Sequence, residues 1–395
     1  MIKRSFFTDE HQAFRAAVRR FVETEIQPHH AEWERQGRMP REIWLKAGSM
    51  GLLCCDLPEE YGGPGGDWLH SVVVVEELWR LGLSGPGTGF MVHSEMVAAY
   101  IRTWGTEEQK RHWLPRMARG EVIGSIGMSE PGAGSDLQAM TTRAQRDGDD
   151  YVINGQKIFI TNGMMCDLIV LAAKTDKDAR KNGISLIIVE ADRPGFVKGR
   201  ALEKIGTHAQ DTAELFFDNV RVPASNLLGQ EHNGFRMLMT KLAQERLNQA
   251  VRSTIVCESV IDWTVAYTRE RKAFGGTIAD FQNTQFVLAQ LAAETTSLRV
   301  FTDWCITQFM AGELGPIDAA KVKLLSTELQ GKAIDQCLQF FGGYGYMREY
   351  PIARAFVDAR LTRIGGGAIE VMKQIIGRSL FAAERSPSKT TGDTT

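Results

Sequence analysis

The sequence predicts an α+β protein in three consecutive blocks: an all-helical block over residues 1–121, an antiparallel β block over 122–232 and a helical bundle over 233–385. Three observations predict it. Apolar residues recur at helical spacing before residue 121, short Val-, Ile- and Phe-rich runs broken by Gly, Pro and Asp replace them, and a 3-, 4- and 7-residue periodicity returns beyond Gly234. With 395 residues, 43% of them hydrophobic, the chain is long enough for a large core and for two or three domains.

In the first block, Thr8-Asp9-Glu10 can cap a helix carrying Phe14, Val18, Phe21 and Val22. A Gly/Pro-rich break from Tyr61 to Asp67 separates it from an apolar helix around Val72 to Leu81. A third helix runs from Glu107 to Met117, with Trp113-Leu114-Pro115 as its stop. In the middle block, Tyr151-Val-Ile, Asn154-Gly155 and Lys157-Ile-Phe-Ile-Thr161 read as a hairpin, because Asn-Gly supplies the positive φ angles of a type I′ turn. Leu168–Ala173, Ile184–Val189 and Ala213–Val222 continue as strands. In the last block, Phe281, Leu288, Leu291, Leu298, Cys305 and Phe309 form the seam of a bundle. The closing segment over residues 386–395 is polar and is expected to be disordered.

Charge excludes several functions. The balance of 46 basic against 48 acidic residues, without a basic run, points away from nucleic acid and from a polybasic membrane patch. None of the eight His falls in a metal-ligand pattern such as HExxH, and no metal is expected. Cys54, Cys55, Cys166, Cys257, Cys305 and Cys337 contain no CxxC pair, and they read as reduced thiols packed as small apolar groups. The first residues lack the marks of a targeting segment, and no stretch approaches the ~18 apolar residues of a membrane span. A cytoplasmic location without a membrane span is the expectation.

The segment Gly124-Ser-Ile-Gly-Met-Ser-Glu-Pro-Gly-Ala-Gly-Ser-Asp136 crowds small and hydroxyl residues into a turn. Such a loop lets backbone N–H groups approach a flat or anionic ligand, and it is equally compatible with a plain tight turn. It is neither a P-loop nor a GxGxxG fingerprint, since the lysine and the glycine spacing are missing.

Ser129-Glu-Pro-Gly-Ala-Gly-Ser-Asp136 resembles the first signature of the acyl-CoA dehydrogenase family. Lys157–Gly163, Ala209–Phe217, Arg271-Lys-Ala-Phe-Gly275 and Gln339-Phe-Phe-Gly-Gly-Tyr-Gly345 are similar to its later blocks, in the same order and spacing. The resemblance spans roughly residues 5 to 383. It implies a helical domain, a β domain and a C-terminal four-helix bundle, assembled as a homotetramer with one FAD per subunit.

The resemblance also implies roles. Residues Ile126 to Ser135, with Met128 and Gly134 among them, would line the flavin. Ser129 would stand near the isoalloxazine and Ser135 would reach toward the pantetheine arm. Phe159, Ile160 and Thr161 would cover the ring's other side, Phe159 standing where many relatives have Trp. Arg271, Phe274, Gln282, Gln339, Gly342 and Gly343 would hold the dinucleotide end, partly from a neighbouring subunit. Arg271 can grip a pyrophosphate bidentately, although beside Glu270 and Lys272 it also reads as a surface cation. Ala368 replaces the usual Thr beside the flavin, with Glu370 close behind.

The reaction needs a carboxylate, because the α-proton of a thioester is very weakly acidic and an unprotonated base must meet it while the carbonyl is polarised. Many members carry that Glu at the position of Gly366, within Arg363-Ile-Gly-Gly-Gly-Ala-Ile-Glu370. In long-chain and isovaleryl-type members it comes from an earlier helix, and Lys241-Leu-Ala-Gln-Glu-Arg-Leu247 places Glu245 there. Taken alone, Glu245 would read as an exposed helix carboxylate paired with Lys241. The missing Glu at 366 and the present one at 245 favour the base, with a pKa raised by burial. Arg200–Gly206 and Pro223–Gly229 also resemble the long-chain branch.

Gly366 then leaves room for Glu245 while its N–H donates to the thioester oxygen, the ribityl 2′-hydroxyl being the second donor. Leu242, Arg246, Gly367 and Ser135 would contact the substrate, Arg246 reading equally as a plain helix cation. The implied activity is FAD-dependent α,β-dehydrogenation of an acyl-CoA to a trans-2-enoyl-CoA, with an electron-transfer flavoprotein as acceptor. An oxidase would use the same residues and admit oxygen; a catalytically silent flavin-binding relative is the alternative from another class. Medium to long straight acyl chains are a modest preference.

Overall fold

The structure, a computed structural model, describes residues 3–382. The expected disordered tail lies outside these residues, as do residues 383–385 of the third block. Among the described residues, seven α-helices come first: α1 Asp9–Phe21, α2 His30–Gln36, α3 Arg41–Ser49, α4 Trp68–Arg80, α5 Ser84–Met91, α6 Ala99–Trp104 and α7 Glu107–Ala118. One sheet follows, from β1 Gly124–Gly127, β2 Arg143–Asp147, β3 Asp150–Thr161, β4 Leu168–Lys174, β5 Ile184–Glu190, β6 Phe196–Ala201, β7 Thr212–Pro223 and β8 Leu227–Leu228. The chain then returns to helices: α8 Gly234–Glu270, α9 Gln282–Met310, α10 Pro316–Phe340, α11 Pro351–Ala359 and α12 Ile369–Ala382. The α–β–α order is the one the sequence predicts.

Most pairs in the sheet are antiparallel, as expected, in the order β6-β7-β3-β2-β4-β5-β8. Two are not: β1 runs parallel to β4, and β2 meets β4 through one parallel rung, Arg143 with Lys174. The hairpin expected at Asn154-Gly155 is not formed. β3 runs straight through both residues, and the turn lies earlier, at Gly148 and Asp149, with Gly148 at a φ of +62°. Asn154 is held in the strand by Asn219, whose N–H donates to its Oδ1 at 3.0 Å. Gly155 sits at a register shift where a Cβ would stand 2.5 Å from Thr142 Oγ1. The glycine therefore serves a close approach, not a turn. Pro115 likewise does not stop its helix, which continues to Ala118.

Helix α1 starts where its cap predicts: the Thr8 N–H donates to His11 Nδ1 at 3.1 Å. His11 Nε2 lies 2.9 Å from Asp67 Oδ1, and His70 Nδ1 lies 2.9 Å from the same oxygen. Sequence spacing did not foresee this cluster, whose rings complete the capping boxes of α1 and α4. Helix α4 is buried on nearly every side, including Glu76 and Glu77. Their charges are compensated by Arg4, Arg15 and Arg299 around Glu76, and by Arg15, Arg19 and Arg80 around Glu77.

Helix α8 is the spine of the molecule, about 55 Å long at 1.5 Å per residue. It gives Met237 and Leu238 to the core beneath the sheet. Leu247, Val251 and Val260 go to the core shared by the two helical blocks. Leu291, Leu298 and Cys305 are buried in the bundle seam as expected, whereas Phe281 is exposed. All six cysteines are buried and unpaired. No described helix is long and apolar enough to cross a membrane.

Candidate active site

Two loops of the sheet are tied into one surface. Ile126, in β1, is buried in the core, Met128 and Ser129 emerge half-buried, and Gly134 and Ser135 are exposed. The Ile158 N–H donates to the Ser129 carbonyl at 3.0 Å. Beneath this rung Lys157, on an inward position of β3, donates to Glu130 Oε1 at 2.8 Å and to the Met128 carbonyl at 3.1 Å. Glu130 also accepts from the N–H of Thr142 at 3.0 Å and the hydroxyl of Thr141 at 2.8 Å. Burial alone would raise the Glu130 carboxyl, but Lys157 and these donors outweigh it and hold it near 2.

The next residues carry strain. β3 shifts register between Lys157 and Ile160, and Phe159 takes a φ of +62°, rare for an aromatic residue. The kink throws its ring outward, 67% exposed, while Ile160 is buried and Thr161 half-buried. A strained, exposed aromatic beside a loop of small residues is a platform for a flat ligand.

On α8, Glu245 is 6% exposed. Burial raises its carboxyl to about 7, against the lowering effects of the Tyr100 hydroxyl, Arg246 and Lys241. Tyr100 Oη donates to Glu245 Oε1 at 3.3 Å. Gln249, one turn further on, faces Gly366: a Cβ at 366 would stand 3.4 Å from Gln249 Cγ. Gly366 and Gly367 take φ angles of +65° and +92°, a backbone that side chains resist and that presents successive N–H groups on one side. Lys323 Nζ fixes this loop by donating to the Gly367 carbonyl. The Ala368 carbonyl accepts from the Met372 N–H at 3.1 Å, and Glu370 is exposed in the first turn of α12. Leu242 is half-buried and Arg246 is buried.

The third group lies elsewhere. The Arg271 guanidinium sits 5.6 Å from the Tyr344 ring centre, which joins it to the Gln339–Gly345 segment. Phe274 is 97% exposed, and Gln282, Gln339, Gly342 and Gly343 are exposed. Glu245 and Arg271 bound opposite ends of a helical stretch about 38 Å long. A single dinucleotide cannot touch both within one chain.

Sequence reasoning missed Tyr100, the Glu130–Lys157 pair, Gln249 and Lys323. Lys157 had a signal: it falls in phase with Tyr151 and Ile153 on the buried face of β3, where a cation needs an acid partner. Tyr100 had none, because it reaches Glu245 only through the packing of α6 against α8.

Comparison with known proteins identifies the family. Family models match in order along the chain: acyl-CoA dehydrogenase N-terminal domain over residues 8–121, middle domain over 125–220 and C-terminal domain over 232–381. The chain is 47% identical to the mitochondrial long-chain specific acyl-CoA dehydrogenase of Sus scrofa, over 95% of this chain and 88% of that one. It is similar to the crystal structure of an acyl-CoA dehydrogenase from Geobacillus kaustophilus, with a TM-score of 0.93, 47% identity, and 95% and 99% of the two chains covered. A glutaryl-CoA dehydrogenase from Mycobacterium smegmatis in complex with FADH2 matches with a TM-score of 0.89 and 30% identity over 95% of each chain. Two helical blocks around a sheet, matched along their whole length by flavin-dependent dehydrogenases, define an oxidoreductase scaffold. The chain belongs to the acyl-CoA dehydrogenase family, whose members are FAD enzymes and among which it is close to the long-chain specific dehydrogenases.

Proposed function

We propose that the protein dehydrogenates an acyl-CoA thioester between its α and β carbons, with Glu245 as the base. The observation that carries this reading is a single buried pairing. Glu245 is held ionisable near neutral pH by burial and Tyr100, one helical turn from the residue that faces Gly366. The residues present fit FAD: the exposed Phe159 offers a π-face, Ile126, Met128, Ser129, Gly134, Ile160, Thr161, Ala368 and Glu370 would line the flavin, and Arg271 offers a bidentate cation. FAD bound there supplies the hydride acceptor for the β-carbon.

The protein's own residues do the rest. Glu245 takes the α-proton, the Gly366 N–H donates to the thioester oxygen, and the product is a trans-2-enoyl-CoA. Ser135, Leu242, Arg246 and Gly367 hold the thioester and its arm. The 38 Å along α8 supports an oligomer, a homotetramer on the family pattern, in which Arg271, Phe274, Gln282, Gln339, Gly342 and Gly343 serve a neighbouring subunit's cofactor. An electron-transfer flavoprotein is the partner that accepts the two electrons.

The test is turnover with an acyl-CoA and an artificial electron acceptor, followed by mass analysis of the thioester. The expected product is two hydrogens lighter, with little peroxide in air. Stoichiometric peroxide would make the protein an oxidase, and an unchanged thioester would leave it a silent relative.

A further inference from the structure

The turn that carries Gly366 is built from three successive glycines, Gly365, Gly366 and Gly367, and a glycine run has no preference of its own for one conformation. Helix α10 fixes it. Arg363 Nε donates to the Thr327 carbonyl at 3.4 Å, and its guanidinium lies over Gly331, where a Cβ would stand 1.6 Å from Nη2. One helical turn before Thr327, Lys323 Nζ donates to the Gly367 carbonyl. The same face of α10 therefore pins both ends of the segment, while Gln249 of α8 meets its middle at Gly366.

The pinned turn has donors to spare. The Ile364 and Gly365 N–H groups donate to the Leu361 carbonyl at 2.9 and 2.8 Å. Among the described residues, the N–H groups of Gly366 and Gly367 donate no hydrogen bond. Successive free N–H groups in a turn form a concavity suited to negative charge.

Lys323 differs from the other buried charges of this protein. Glu76, Glu77 and Lys157 each touch an opposite charge. Lys323 is fully buried and makes no ion pair among the described residues, where the Gly367 carbonyl is its acceptor. Burial lowers the ammonium to about 8, Arg252 and Arg246 adding to this against the pull of Glu370, so it stays largely cationic at pH 7. A buried cation without a counter-charge costs folding energy, and its field carries further there than in water. That field falls on the turn whose N–H groups are free.

We propose that Lys323 is the positioning residue of this turn: through the Gly367 carbonyl it fixes the Gly366 N–H, and its charge favours an enolate-like oxygen on the thioester held there. This rests on the reading that the Gly366 N–H meets the thioester oxygen. When the α-proton leaves for Glu245, the electron pair of the broken C–H bond spreads onto that oxygen, and a cation behind the turn stabilises it. Lys323 acts through the turn and not on the substrate.

The experiment binds 3-oxooctanoyl-CoA, whose α-proton is acidic enough to titrate, to the FAD-loaded protein and reads the enolate by its near-ultraviolet absorbance. Wild type is expected to lower the compound's ionisation by at least ~1 pH unit from its value in free solution. Lys323→Met should lose at least ~10-fold of that ionisation constant yet melt no lower than wild type, since it removes a buried, unpaired cation. Lys323→Gln, which keeps a donor without the charge, should fall between the two and carries the test if Lys323→Met does not fold. An unchanged ionisation constant in the variants overturns the proposal, as does a wild type that leaves the bound compound no more acidic than the free one. Failure of the underlying reading shows separately. Gly366→Ala that ionises the compound as wild type does would remove the thioester oxygen from the turn, whereas loss in Gly366→Ala without loss in Lys323→Met would remove Lys323 alone.

Discussion

The Tyr100 hydroxyl donates to Glu245 Oε1 across 3.3 Å, joining the first helical block to the spine helix at the buried carboxylate. The bond stabilises the charged form and so opposes the burial that lifts this group to about 7. A base acts only when ionised, so kcat/KM should rise with pH through about 7 and then level. Tyr100→Phe removes the donor, and a hydrogen bond to a charged group is worth ~1.5 kcal/mol or more, about one pH unit. The expected outcome is a rising limb displaced upward by about that much, with activity at high pH largely kept. A pH–rate profile of the two proteins checks it.

Gly366 holds a left-handed backbone against Gln249. Gly366→Ala should cost ~1–2 kcal/mol of stability from the backbone alone. The displaced N–H should lower kcat by an order of magnitude or more. Thermal melting and steady-state kinetics on the same preparation separate the two effects. A variant that melts lower but keeps its kcat would remove Gly366 from the thioester oxygen.

The Glu130–Lys157 pair lies under the Met128–Ser129 loop, both side chains almost wholly inaccessible. Removing one partner strands a buried charge, at a cost of ~3–5 kcal/mol. Lys157→Met should therefore melt well below wild type and purify with less FAD, read from the visible-to-ultraviolet absorbance ratio. Lys157→Met combined with Glu130→Gln should recover part of the stability.

Glu76 supplies an acid-lability signature. Burial would raise its carboxyl, but Arg4, Arg299 and Arg15 outweigh this and bring it to about 2. Its folded pKa is therefore below the ordinary 4.5. The stability it contributes is complete above about 4.5 and is lost as pH falls toward 2. Glu76→Gln should melt lower at pH 7, and the gap to wild type should shrink at pH 3. Melting curves across that range measure it.

The block order was legible because period and composition change sharply at its boundaries, and the Ser129 and Gln339 blocks could be placed by resemblance. Local turn chemistry misled at Asn154-Gly155, where the neighbouring Asn219 and Thr142, distant or hidden in sequence, hold the pair in a strand. Glu245 was visible as a residue and its environment was not: burial and Tyr100 meet it only after α6 and α8 pack.

The most direct test is anaerobic titration of the purified yellow protein with a panel of acyl-CoAs of different chain lengths, beside Glu245→Gln. Wild type should bleach with at least one of them, and Glu245→Gln should bind the same compound, shifting the flavin spectrum without bleaching it. A Glu245→Gln protein that bleaches at the wild-type rate would contradict the account, because the α-proton would then leave by another group.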